Sequence, residues 1–194
     1  TVLTSLKLPR DLETYGEVQK TRSFLKGEAE PTALKTDPKN HPINWEILAS
    51  LRERPVAIIN TSKGTIRIQL LPEVAPGAVA MFVAQARKGY YNGKSFHRVV
   101  PNFVAQGGCP RGDGSGSLDF TLRTEVPAPM RYDHEGMVGL ASAGLDTESV
   151  QFFITHSPAP HLDGNYTIFA TVADGMSVVH DLQIGDVINK ISIQ

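Results

Sequence analysis

Arg98 lies in the run SFHRVVPNFVAQGG, residues 95–108, and no Asp or Glu occurs between Tyr90 and Gly112. The run reads as a strand, a turn at Pro101 and Asn102, and a second apolar stretch closing on Gly107 and Gly108. Strand alternation places Phe96, Arg98 and Val100 on one face and Ser95, His97 and Val99 on the other. A permanently protonated guanidinium therefore shares a face with apolar side chains, and Phe103 follows closely. Such a group is a fork of donors with no acceptor. In surroundings of low dielectric it can stabilise a lone pair or negative charge that a bound molecule develops.

Two further segments stand beside it: GLASAGLDTESVQFFITHS, residues 139–157, and PHLDGNYTIFATVADGM, residues 160–176. Each alone reads as core strand and turn. Several familiar chemistries are missing. There is no G-x-S-x-G elbow. The six histidines show no H-E-x-x-H, and His156 and His161 are five apart, a spacing that suits neither a helical pair nor a finger. RGDGSGS lacks the lysine of a phosphate loop and reads as a flexible turn. Cys109, the single cysteine, reads as a small, partly buried residue without an activating neighbour. The triplets at Asn60 and Asn165 match a glycosylation acceptor but are short enough to arise by chance.

The elements that must position these residues follow from periodicity. VAIIN from Val56 is apolar throughout, and GTIRIQL alternates, with Ile66, Ile68 and Leu70 inward. Pro76 suits a first helical turn, Val79, Phe82, Val83 and Ala86 share a face, and Gly89 stops the run. Further strands are expected at 95–100, 137–141, 152–155, 167–172 and 187–193, with a short helix at 177–183. Many short strands punctuated by Gly and Pro, with two helices, predict a mainly β fold with a closed antiparallel sheet.

Residues 1–54 differ. They hold a weak helix candidate at 12–25, a Pro-rich linker (GEAEPTALKTDPKNHPI) and a second helix from Trp45. Asn44 is placed to cap that helix, and Ile43 and Leu48 are placed to form a hydrophobic staple. Pro55 ends the run. The boundary is set there: 1–54 an extension, the end of a preceding helical region plus a linker packing on the barrel, a reading prompted by Trp45 and the Ile43–Leu48 staple, and 55–194 a folded domain. Deleting residues 1–42 should leave that domain folded and active. Thr1 in place of a methionine suggests a chain processed or cut from something longer.

A net charge of −1 shows no basic excess for nucleic acid, and no apolar run reaches the roughly 18 residues of a membrane span. The chain is expected to be a soluble monomer, in cytoplasm or periplasm.

Taken together, F-H-R-x-x-P-x-F-x-x-Q-G-G, then A-x-A-G, then Q-F-F-I-T, then L-D-G resemble the cyclophilin family of peptidyl-prolyl cis-trans isomerases, over residues 55–194. The resemblance implies an eight-stranded antiparallel barrel closed by two helices. It implies Arg98 as the catalytic arginine, Gln106 as its neighbour, and Phe103 and Phe153 as aromatics lining a proline pocket with Leu162 as aliphatic wall. Gln151 matches a glutamine contacting substrate backbone, Ala141, Ser142 and Ala143 the segment along which the peptide lies, and Gly114 a loop position beside the site. Phe96 is included among the substrate-binding residues. Val104, Ser142, His161 and Tyr166 stand where methionine, asparagine, tryptophan and histidine are usual; the last two look bacterial. Family members with tryptophan at the position of His161 bind cyclosporin tightly, so weak inhibition is expected here. The implied function is rotation about X–Pro bonds in proline-containing polypeptides, assisting protein folding without cofactor or metal. The alternative is a proline-recognition module that binds with little or no turnover.

Overall fold

A computed structural model describes residues 2–31, 41–127 and 129–194. Most of the Pro-rich linker, including Pro38, therefore lies outside the described residues. The extension begins with two helices, α1 (Val2–Ser5) and α2 (Leu12–Lys26). The helix α3 (Trp45–Ala49) follows the linker, and the Ile47 N–H donates to Asn44 Oδ1 at 3.0 Å, so the expected cap forms. Ile47, Leu48 and Leu51 pack against the barrel core, and His41 stacks on Phe120. Trp45 does not join them: it is 65% exposed. It lies on the outward side of a helix too short to bury two faces.

In the described residues, eight strands close one antiparallel barrel: β1 (Val56–Thr61), β2 (Gly64–Leu70), β3 (Lys94–Val100), β4 (Val104–Gly107), β5 (Met137–Leu140), β6 (Phe152–Thr155), β7 (Ile168–Asp174) and β8 (Val187–Ile193). Their order around the barrel is β1-β2-β7-β5-β6-β4-β3-β8. The clean alternation of β2 sends Ile66, Ile68 and Leu70 inside, as its sequence demands. β7 runs two residues beyond its expected end, because Asp174 still pairs with Arg67 across a bulge. Helix α4 (Pro76–Arg87) buries Val79, Phe82, Val83 and Ala86 in the barrel core, and Phe82 sits among Tyr91, Phe152 and Phe169. Its first turn is capped from a distance. Glu125 accepts from the Gly77 and Ala78 N–H groups at 3.1 and 2.9 Å, satisfying donors that no local side chain reaches. Helix α5 (Met176–Asp181) begins one residue before its expected start and ends two before its expected end, where Leu182 turns extended.

The sheet separates two apolar clusters. Phe152 points into the barrel core; its neighbour Phe153 points outward to a smaller cluster with Val104, Tyr132, Met137, Ala159, Leu162 and Ile168. That outer cluster supports the site.

Candidate active site

The strand pair β3–β4 presents Arg98 in a way that simple alternation does not allow. Phe96 pairs with Gly107 and Arg98 with Gln106, so two steps on β3 match one step on β4. This bulge turns the chain over between the two residues. Phe96 goes inward, fully buried against Phe152, while Arg98 is exposed on the outer face beside Gln106. The expectation that they share a face is thus corrected, and Phe96 leaves the set of substrate-contacting residues: it is a core side chain.

Arg98 lies over the Phe103 ring at 5.5 Å and donates through a long contact, 3.5 Å, to Gln106 Oε1. Among the described residues no carboxylate pairs with it. Gln106 Nε2 donates in turn to Gln151 Oε1 at 3.2 Å. Gln151 is buried, and its Nε2 donates to the carbonyls of Gly114 and Gly116 at 3.0 and 2.7 Å. The arginine is therefore oriented by amide groups that leave its charge unneutralised.

Next to it is a cleft of about 250 Å³ lined by Arg98, Phe103, Val104, Gln106, Ala141, Ser142, Phe153, Leu162 and Tyr166. Leu162 is carried in by a short 3₁₀ turn (Pro160–Leu162) that the sequence pattern did not signal, and Tyr166 stands edge-on to Phe153. His161 is exposed at the rim with its ring 5.2 Å from Phe103. Ala143 is exposed beyond the lining. Gly114 also stays outside it and acts through its carbonyl.

Two contributors escaped the sequence reading. Tyr132 stacks on Phe153 and donates from its hydroxyl to the Tyr166 carbonyl at 3.3 Å, bracing two walls of the cleft. Gly139 makes this possible. A Cβ there would collide with the Tyr132 hydroxyl and come within 2.6 Å of Phe153 Cζ. A lone glycine inside the strand pattern MVGL was the available signal of close approach. His97, the bulge residue, lies against Gly114, and neither ring nitrogen has a partner among the described residues. Burial holds its imidazole below its ordinary pKa, against Asp113 and with help from Arg98. A neutral ring beside Arg98 adds no second positive charge.

The sequence matches the family described as cyclophilin type peptidyl-prolyl cis-trans isomerase/CLD over residues 56–193. The chain belongs to this family. It is 42% identical over 129 residues to the peptidyl-prolyl cis-trans isomerase B of Bacillus subtilis, covering 66% of this chain and 90% of that one. With the peptidyl-prolyl cis-trans isomerase of Helicobacter pylori strain 26695 it shares 42% over 158 residues, 80% of this chain and 95% of the relative. A cyclophilin type isomerase from Cryptosporidium parvum, whose crystal structure was determined in the presence of the dipeptide Ala-Pro, superposes with a TM-score of 0.68 at 30% identity. That alignment covers 72% of this chain and 98% of that one. The expected cyclophilin fold, a closed eight-stranded barrel, is thus the fold observed, and the chain is an isomerase of this type. Among the described residues no helix is long and apolar enough to cross a membrane.

Proposed function

We propose that the cleft receives the ring of a proline in an exposed X–Pro segment of a polypeptide, and that Arg98 lowers the barrier to rotation about the preceding bond. Rotation is slow because amide resonance gives the C–N bond partial double-bond character, with a barrier of roughly 20 kcal/mol. At the twisted transition state that resonance is lost, and the proline nitrogen becomes pyramidal with a free lone pair. A donor facing that nitrogen binds the twisted form better than the planar one, which is the condition for catalysis. Arg98 suits this role because Gln106 orients it while, among the described residues, no carboxylate pairs with it.

One charge-assisted hydrogen bond contributes about 1.5–3 kcal/mol. At about 1.36 kcal/mol per tenfold, it supplies roughly 10- to 160-fold. The remainder falls to the apolar walls. Phe103, Phe153 and Leu162 grip the ring while the preceding carbonyl turns, and Ala141 and Ser142 offer the substrate backbone its contacts; Gln151, expected there, lies buried behind Gln106 and supports it. The protein works as a monomer assisting the folding of proline-containing chains.

The observation that carries this reading is an unneutralised guanidinium beside an aromatic cleft sized for a small ring. A protease-coupled or NMR-exchange assay on an Ala-Pro-Phe peptide tests it. Accelerated exchange that saturates with peptide is expected; saturable binding without acceleration would restore the binding-module alternative.

A further inference from the structure

The hydrogen-bonded chain behind Arg98 does not stop at Gln151. The two carbonyls that hold the Gln151 amide belong to the loop at residues 109–118, the stretch whose composition reads as a flexible turn. Within the loop, Asp113 accepts from the Ser115 N–H and hydroxyl, both at 2.8 Å. From outside, the loop is fastened by the segment that leads into α2. The Ser117 N–H donates to the Arg10 carbonyl at 3.1 Å, and the Ser117 hydroxyl donates to the Pro9 carbonyl at 3.0 Å. Arg111 forms an ion pair with Asp11. Asp11 is only 4% exposed and also accepts from the Lys7 N–H at 2.8 Å and from Arg10 Nη2 at 3.2 Å. A buried carboxylate with this many donors is a built contact, unlike a solvent-exposed ion pair held by two mobile side chains.

We infer that Asp11 is a positioning residue for the isomerase reaction, acting from outside the family-matched region through Arg111 and the 109–118 loop on Gln151, Gln106 and Arg98. The inference rests on the role proposed above for Arg98. The loop reaches Arg98 by way of Gln151 and Gln106, and none of its residues lines the cleft beside Phe103, Phe153 and Leu162. Loosening this strap, residues 7–12, therefore affects the orientation of the guanidinium in the transition state and leaves ground-state binding of the proline ring intact.

Steady-state isomerase kinetics of the full chain, with Asp11→Ala, Asp11→Glu, Arg111→Ala and Arg98→Ala, test this. Asp11→Ala should lower kcat about tenfold, less than the hundredfold that a misplacement of about 1 Å can cost, with KM nearly unchanged. Asp11→Glu, which keeps the charge, should recover most of the loss. The side-chain amide NMR signals of Gln106 and Gln151 should move in Asp11→Ala and return in Asp11→Glu. Arg111 is at the surface, so Arg111→Ala should stay folded and show the same kcat defect even if Asp11→Ala does not fold. Parent-like kcat in Arg111→Ala or a folded Asp11→Ala, with Arg98→Ala inactive, would overturn the inference and spare the site. A defect confined to KM would also overturn it. Parent-like turnover in Arg98→Ala would instead overturn the reading of the site itself.

Discussion

Phe153 shows how one side chain serves both stability and binding. Its ring is 5% exposed, stacked on Tyr132 and edge-on to Tyr166, so it holds the outer cluster together while forming the cleft wall. Phe153→Ala should cost about 3–5 kcal/mol of unfolding free energy and raise KM, measurable by denaturant titration and peptide kinetics. A variant as stable and active as the parent would remove Phe153 from the wall. His161 makes a smaller contribution. Its exposed imidazole leans on Phe103 where an indole would cover more surface. Losing roughly 80 Å² of apolar contact costs about 2 kcal/mol at about 25 cal/mol/Å². A lost hydrogen bond adds about 1 kcal/mol. Together these weaken cyclosporin by roughly a hundredfold. His161→Trp should therefore tighten inhibition, read by titrating activity against the drug; no change would point to Val104 or Tyr166 as the control of the rim. At this scale the sequence was informative where a residue type is rare in its setting, as Arg98 is among apolar neighbours. It misplaced Phe96, expected on the face of Arg98 and among the substrate contacts, because a bulge adds one residue without leaving a compositional mark.

Elements were most legible where one periodicity ran uninterrupted. β2 follows its pattern because it buries one face along its length, whereas α4 is buried most of the way round and β8 breaks alternation between Ile188 and Ile191. The 3₁₀ turn that delivers Leu162 escaped because three residues are too few to show a periodicity, and the capping of α4 by Glu125 because its partners lie far apart in sequence. So did the role of Glu148, which sits fully buried where the loop before β6 meets the start of β7. Its carboxyl accepts from the Thr167 N–H at 2.8 Å and pairs with the Thr167 hydroxyl at 2.6 Å, while Thr167 Oγ1 accepts from the Glu125 N–H. Burial pushes its pKa from 4.5 up to about 8, against those two bonds, with Glu125 and Asp146 adding to the rise. The sign follows. Below the unfolded value both states are protonated and nothing is lost. Between that value and the folded one, the unfolded chain releases a proton that the folded chain keeps, so stability falls as pH rises. Glu148→Gln imitates the protonated form. Its unfolding free energy should match the parent's near pH 4 and exceed it increasingly up to about pH 8, by on the order of 5 kcal/mol at most. Parallel curves for the two proteins would show that Glu148 titrates normally.

At the scale of the whole molecule a barrel with its own core is joined to an extension that, among the described residues, reaches the loop behind the site through the strap at residues 7–12. Composition alone made the extension look dispensable, because nothing in its charged, Pro-containing sequence marks Asp11 as buried. Deleting residues 1–42 should leave the barrel folded, since β1–β8 and α4 close one continuous apolar cluster without them. The shortened protein should turn over more slowly, to the extent of Asp11→Ala; full activity would return the extension to the status of a passive linker. The central claim concerns Arg98. It is tested most directly by comparing kcat/KM of the parent and Arg98→Ala on an Ala-Pro-Phe peptide, with circular dichroism as the check on folding. The account predicts a fall of about 10- to 1000-fold with an unchanged spectrum, the upper end including lost positioning. Near-parental turnover in a folded Arg98→Ala would contradict it.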